Sequence, residues 1–339
     1  MLEHAKGLER HSRHSVHAVD PSHSRHHDFH LARHVVVIHS TVLIDDEHEF
    51  PASLRDEIAG SSSLKILYVR DRFDRLESLF DTIRFLGINV VFTRIPPAQA
   101  ETFWSSRLPG VQFKHWLGGC LSEHVSRPYQ LVSQRPIDLG YQGQNAAVWN
   151  GALAIENASI GSQFAHRAPL DRITYDISDS GKRTADWLTQ SNQLSQWKAT
   201  LGTESAASIV DFDGSVERAV ALYLKEHPEA SSDDIARDCL NHREGTPFSY
   251  LSLAQLEAIS AGTALILFPG EYSGILVPKV NYLSLQRDFS NIDEVIAALR
   301  HPSQLLQGMV RRNDHTFLDS GHYSGRAAAK TLDAVIAQN

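Results

Sequence analysis

The sequence predicts an α/β protein built from two doubly wound domains, and three observations carry that prediction. Short apolar, β-branched runs, HVVVIHS (34–40), KILYV (65–69) and INVVFT (88–93), alternate with amphipathic helical stretches. The chain has 339 residues, enough for two domains that each bury a core. Between them, GGCLSEHVSRPYQLVSQRPI (118–137) carries two prolines and no clear periodicity, after which the alternation resumes.

The first domain, residues 1–130, opens on a helix over 3–13, with Leu2, Ala5 and Leu8 spaced for one face. A short strand, VHAV (16–19), and a polar loop around Pro21 lead to the run at 34–40, whose bounded β-branched residues suit a buried parallel strand. A helix near 52–59, the strand KILYV, a helix from Arg75 to Leu86 closed by Gly87, and INVVFT follow. A doubly wound domain ordinarily starts with a strand and a glycine turn, so this one is expected to be truncated, lacking its first strand.

The second domain, residues 131–339, repeats the pattern. IDLGYQG (137–143) is a strand and turn, ALAIENASIGSQFAH (152–166) a helix, ITYDIS (173–178) a strand and TADWLTQSNQLSQW (184–197) a helix. KATLGTES (198–205) is a strand ending in a polar loop, and a polar, mostly helical insertion lies near 213–248. Then come a helix carrying Glu257, the buried strand ALILF (264–268), the glycine loop PGEYSGIL (269–276) and a short strand NYLSL (281–285). Asp288-Phe289-Ser290-Asn291 leads into the helix IDEVIAALR (292–300), and GRAAAKTLDAVIAQN (325–339) is a terminal helix of the kind that packs back across a domain interface.

Composition excludes several function classes. A formal net charge of -8 argues against a nucleic-acid partner, whose binding rests on clustered Lys and Arg. No apolar run approaches the roughly 18 residues of a membrane span, and the N-terminus lacks a signal-peptide pattern. Two distant cysteines, Cys120 and Cys239, exclude a disulfide framework and make the cytoplasm the expected compartment. Peripheral contact with the inner face of a membrane stays open. Eleven of the nineteen histidines fall in the first 50 residues. His30 and His34 are one helical turn apart beside Asp20 and Asp28, yet a polar strip accounts for them better than a metal site, so no metal is expected. Asp211 and Asp213 read as turn residues.

An acidic helix followed by a strand and a glycine loop is how many α/β proteins hold a nucleotide at the carboxyl ends of parallel strands. That stretch, LEAISAGTALILFPGEYSGIL (256–276), stands in order with IHST (38–41), VRDRFD (69–74), RPIDLGYQGQ (135–144), LGTESAASIVDFDG (201–214) and DFSNIDEVI (288–296). Together they resemble the bacterial B-type (GT-B) glycosyltransferases of polysaccharide clusters, in the group 1 or CgeB-like branch.

The resemblance implies two Rossmann-like domains facing a central cleft. It implies transfer of a sugar, with retention and without metal or cofactor, from a nucleoside-diphosphate sugar to a glycan, lipid-linked or protein acceptor. Glu257 then corresponds to the ribose-binding glutamate, because a carboxylate accepts both hydroxyls of a vicinal diol. Glu204 lies where the family places an acid near the transferred sugar, with His39 and Asp71 at strand ends as the other catalytic candidates. Tyr141, Ser205, Ser252 and the loop Gly270, Glu271, Tyr272, Ser273 and Gly274 belong to the donor side, the loop offering backbone N–H groups to phosphate.

The chain also departs from the family. Gln142 and Gln144 stand where relatives carry arginine, Asn157 follows Glu156 where they carry lysine, and 252–257 reads SLAQLE in place of an arginine-bearing segment. Arg135, Lys182 and Arg183 remain as phosphate candidates. The neutral replacements open a second reading, a catalytically impaired nucleotide- or sugar-binding relative that partners an active transferase. A nucleotide-sugar epimerase is disfavoured by the absence of a G-x-G-x-x-G motif.

Overall fold

The computed structural model describes residues 2–19, 35–40, 50–69, 76–117, 121, 130–143, 147–168, 172–178, 187–241, 245, 248–301 and 304–339. They divide into two compact units, one of Met1–Cys120, Asp211–Ser215 and Ser324–Asn339, the other of Leu121–Val210 and Val216–Tyr323. In this division two segments that follow residue 130, Asp211–Ser215 and Ser324–Asn339, group with the first unit, the terminal helix among them.

The first unit holds a parallel sheet in the order β1 (Val35–His39), β2 (Leu64–Tyr68), β3 (Val90–Thr93), β4 (Gln112–His115). Alternation along a strand sends successive side chains to opposite faces. Ile66, Tyr68, Val90 and Phe92 cluster with Leu8 of α1 (Leu2–His11) and with Ala329, Leu332 and Val335 of α12 (Gly325–Gln338). Asp333 of α12 accepts from Ser12 Oγ at 2.6 Å and from the Arg13 N–H at 2.9 Å, tying the end of α1 to it.

Helices α2 (Ala52–Gly60), α3 (Leu76–Leu86) and α4 (Pro97–Trp104) connect the strands. On α3, Leu76, Leu79, Phe80, Ile83 and Leu86 are buried at helical spacing, and Gly87 ends the helix at φ +65°. Two expectations change here. VHAV forms no strand, and α4 and β4 were not read from the sequence, because QFKH is polar and only partly covered.

The second unit holds a five-stranded parallel sheet in the order β11 (Leu283–Ser284), β10 (Ala264–Leu267), β7 (Trp197–Gly202), β5 (Ile137–Gln142), β6 (Tyr175–Ser178). In chain order within the unit this is the 2-1-3-4-5 arrangement of doubly wound folds, whose direction reverses between β5 and β7. The core joins Leu139, Tyr141, Ala199, Leu201, Ala264 and Ile266 to Ile160 and Phe164 of α5 (Ala152–Arg167), Val295 and Leu299 of α10 (Ile292–Arg300) and Met309 of α11 (Leu305–Asn313). The polar helix α11 was not read from the sequence. Two further helices, α6 (Trp187–Gln196) and α9 (Leu253–Ser260), carry residues used below.

The segment near 213–248 is helical over much of its described length. It contains α7 (Ser215–Glu226) and α8 (Ser232–Ile235), the latter continuing as a π-turn to Leu240. An antiparallel pair, β8 (Ser205–Ala207) with β9 (Phe248–Tyr250), closes its base.

Candidate functional site in the second unit

A reversal of strand order leaves a crevice outside the carboxyl ends of the two strands that flank it. The pocket of the second unit lies there. Its polar wall is made of the amides of Gln142, Asn157, Gln190 and Gln255 and the hydroxyls of Tyr141, Thr200, Thr203, Ser205 and Ser252. Leu194, Trp197, Leu201, Gly202 and Ala254 supply its apolar part. No lysine, arginine, aspartate or glutamate is among these lining residues.

The wall is held by its own hydrogen bonds. Tyr141 Oη donates to the Asn157 carbonyl at 2.7 Å, and Asn157 Nδ2 donates to Thr203 Oγ1 at 2.9 Å. Buried Gln255 donates to the Thr203 carbonyl at 2.6 Å while its Oε1 accepts from the Ser252 N–H at 2.7 Å. Ser252 caps α9 in turn, so one capping box fixes both the helix start and the pocket edge. Gln142 donates to Gln193, which donates to Asp176. The Trp197 indole lies across Gly140, where a Cβ would stand 1.7 Å from a ring atom, and donates to Asp176 at 3.2 Å. Only glycine permits that approach.

Glu257 sits on α9 just outside the lining residues and accepts from Gln190 Nε2 at 3.1 Å. Glu204 follows β7 and accepts from the N–H groups of Glu271 (3.1 Å) and Tyr272 (2.7 Å). In that loop Glu271 is helical (φ −84°, ψ −29°) and Tyr272 (φ 44°), Ser273 (φ 58°) and Gly274 (φ 71°) are left-handed. A right-handed residue followed by a left-handed one turns successive N–H groups inward, which is an anion-binding nest. Each non-glycine left-handed residue costs on the order of 1 kcal/mol, and neighbours hold both. Buried Tyr272 donates its hydroxyl to the Phe268 carbonyl at 2.6 Å, and Ser273 Oγ accepts from the Leu251 N–H at 3.1 Å. Burial, with the Glu204 charge second, pushes the Tyr272 phenol well above its ordinary range.

The remaining expected residues lie elsewhere. His39 ends β1 in the first unit, half-buried, its ring edge-on to Trp116 at 5.7 Å. Arg135 is buried just before β5 and is not among the pocket-lining residues. Its guanidinium donates to the carbonyls of Trp197 (2.8 Å) and Ala261 (2.9 Å) and to Thr263 Oγ1 (3.0 Å), so the structure does not bring it to the crevice. Asp71, Lys182, Arg183, Gln144 and the pair His30 and His34 lie outside the described residues. Asp213 accepts from the Ser215 N–H, the turn role expected of it.

Sequence reasoning did not select Asn157, Gln190, Thr203 or Arg287 as site residues. Arg287 follows β11, its Nε 2.7 Å from Glu156 Oε1 and its guanidinium 5.8 Å from the Phe268 ring centroid. Their common signal is position just beyond the carboxyl end of a strand or on a facing helix turn, which becomes visible only once the strand order is known.

No protein-family model matches this chain, and no curated protein matches it by sequence. Among solved structures, the DNA-modifying enzyme beta-glucosyltransferase, determined in the presence and absence of its substrate uridine diphosphoglucose, aligns over 99% of this chain and 92% of its own, with a TM-score of 0.50 and 12% identity. The fold is GT-B-like. The pneumococcal O-GlcNAc transferase GtfA, in complex with UDP and GlcNAc, aligns over 84% of this chain at 11% identity and a TM-score of 0.44. TarM aligns over 83% at 10% identity and 0.46. This chain spans about half the length of those two, 54% and 52%.

Proposed function

We propose that the protein is a glycosyltransferase that moves a sugar from a nucleoside-diphosphate sugar to a glycan, lipid-linked or protein acceptor, without metal and with retention, as in the group 1 or CgeB-like branch. One observation carries this reading: an uncharged pocket of amides and hydroxyls opens at the strand-order reversal, and a backbone nest for anions follows the next strand. The pocket suits the neutral base and sugar hydroxyls of such a donor, and the nest suits its phosphates. Glu257 receives the ribose diol, with Gln190 orienting its carboxylate. Tyr141, Ser205 and Ser252 line the donor pocket. Glu204, His39 and Asp71 stand as catalytic candidates. With a net charge of -8, the acceptor is not a nucleic acid. The reaction is cytoplasmic, and membrane-face contact is part of the proposal. No described helix is long and apolar enough to cross a membrane.

The neutral Gln142 and Asn157, standing in the described pocket lining where the resemblance implies cations, favour one second reading, a nucleotide-binding relative with little turnover. Calorimetric titration of the chain with UDP, GDP, ADP, dTDP and CDP, followed by sugar-release assays with the matching donor, separates the two. Micromolar binding with sugar release supports the transferase, and binding without release supports the relative. Glu257→Ala weakens binding of the preferred nucleotide about 10- to 100-fold, the worth of a charge-assisted hydrogen bond. Unchanged affinity in that variant overturns the placement of the ribose.

A further inference from the structure

We propose that two carboxylates of this chain, Glu204 and Glu156, occupy the groups that receive the ligand's diphosphate, so that the diphosphate binds by displacing them. The proposal rests on the nucleotide-sugar reading above and adds the condition under which that site opens.

The nest is already built. Glu204 Oε1 takes the two convergent N–H groups of Glu271 and Tyr272, as an anionic oxygen of phosphate would. Its other oxygen fills the space beside Gly270, where a Cβ would stand 2.4 Å from it. The loop's shape is held by other bonds, from the Tyr272 hydroxyl to Phe268 and from the Leu251 N–H to Ser273. Departure of Glu204 therefore vacates a nest that keeps its form.

Arg287 repeats the arrangement. Its guanidinium sits near Phe268, the residue that opens the loop, and donates Nε to Glu156. Glu156 precedes Asn157, which lines the pocket. Arginine presents the same fork to carboxylate and phosphate, so whatever Glu156 holds, a phosphate competes for. Among the described residues the pocket lining carries no cation, and the proposal takes this nest and this arginine as phosphate donors. A carboxylate and a phosphate cannot share them, because like charges at contact distance repel. Binding thus requires Glu204 to swing out of the nest and Glu156 to release Arg287.

The test titrates inorganic pyrophosphate into the full chain and into Glu204→Gln, Glu156→Gln and Arg287→Ala, with circular dichroism confirming the fold of each. Each glutamine variant keeps shape and loses charge. Pyrophosphate is expected to bind about tenfold tighter to each, the effect of removing one repelling charge at the surface. It is expected to bind at least about tenfold more weakly to Arg287→Ala. Unchanged or weaker binding in the folded glutamine variants overturns the proposal and makes the carboxylates structural staples. Glu156, on the more exposed pair, keeps the test decisive if Glu204→Gln fails to fold. UDP, GDP, ADP, dTDP and CDP titrated alongside separate the two readings. Tightened pyrophosphate without binding of any nucleoside diphosphate sustains the displaced carboxylates and sinks the nucleotide-sugar reading, and the reverse result does the opposite.

Discussion

The two parallel sheets are made of similar strands, yet among the described strands only one sheet reverses its order. In the first unit the described strands run β1-β2-β3-β4 without reversal. One face of that sheet is filled by rings, Tyr68 stacked on Phe92 at 4.4 Å, with Trp116 and His4 edge-on or tilted beside them. In the second unit the order turns back between β5 and β7, and polar side chains converge at the gap. A binding site here follows from the order in which strands are laid down, since adjacent connections leave a reversal point in opposite directions.

The sharpest way to break the comparison is to close the crevice from below. Gly140→Ala drives a Cβ into the Trp197 ring, and we expect a loss of about 4 kcal/mol or more in urea unfolding, the range of severe overpacking. Adding Trp197→Leu should restore part of it. Strict additivity of the two changes would mean that the contact does not set the pocket floor.

Next in size is Arg135→Met, which leaves the Trp197 and Ala261 carbonyls and Thr263 without their buried partner. We expect a loss of roughly 3 kcal/mol with nucleotide affinity of the folded protein unchanged. A matching loss of affinity would return Arg135 to the phosphate site.

The smallest effect tests the ring-filled face. Burial, with the amino-terminal charge second, pushes His4 down from 6.5 to about 4, and its Nε2 has no hydrogen-bond partner among the described residues. Its folded pKa lies below the unfolded one, so the unfolded chain takes the proton first. The stability is complete above pH 6.5 and is lost as pH falls toward 4. His4→Phe should flatten unfolding free energy across that window. An unaltered slope would show that His4 does not titrate in the core.

Most elements were legible in the sequence because their cause is local. Apolar runs such as Val35–His39 and Ala264–Leu267 became strands, and the spacing of Leu76, Leu79, Phe80 and Ile83 became a helix. Polar elements escaped, Gln112–His115 and Leu305–Asn313 among them, since little in their composition separates them from loop. Of the site, the sequence marked Glu257, Ser252 and the 270–274 loop by order along the chain. It did not show that Arg135 bonds carbonyls at the start of β7 and before β10, because a charge beside a strand does not reveal which end of the sheet it faces. It marked Asn157 only as a missing lysine and passed over Arg287, and the meaning of both depends on neighbours more than 40 residues away along the chain.

What the sequence determined alone is the inventory: alternating strands and helices, neutral residues where the resemblance implies cations, and a loop with two glycines. These follow from periodicity and residue chemistry, which act over a few positions. Tertiary structure decided the rest. It placed β7 beside β5, laid Trp197 on Gly140, seated Glu204 in the nest and returned α12 to the first unit. Those outcomes depend on which distant segments share a surface, and that is settled by the burial and hydrogen bonding of the whole chain.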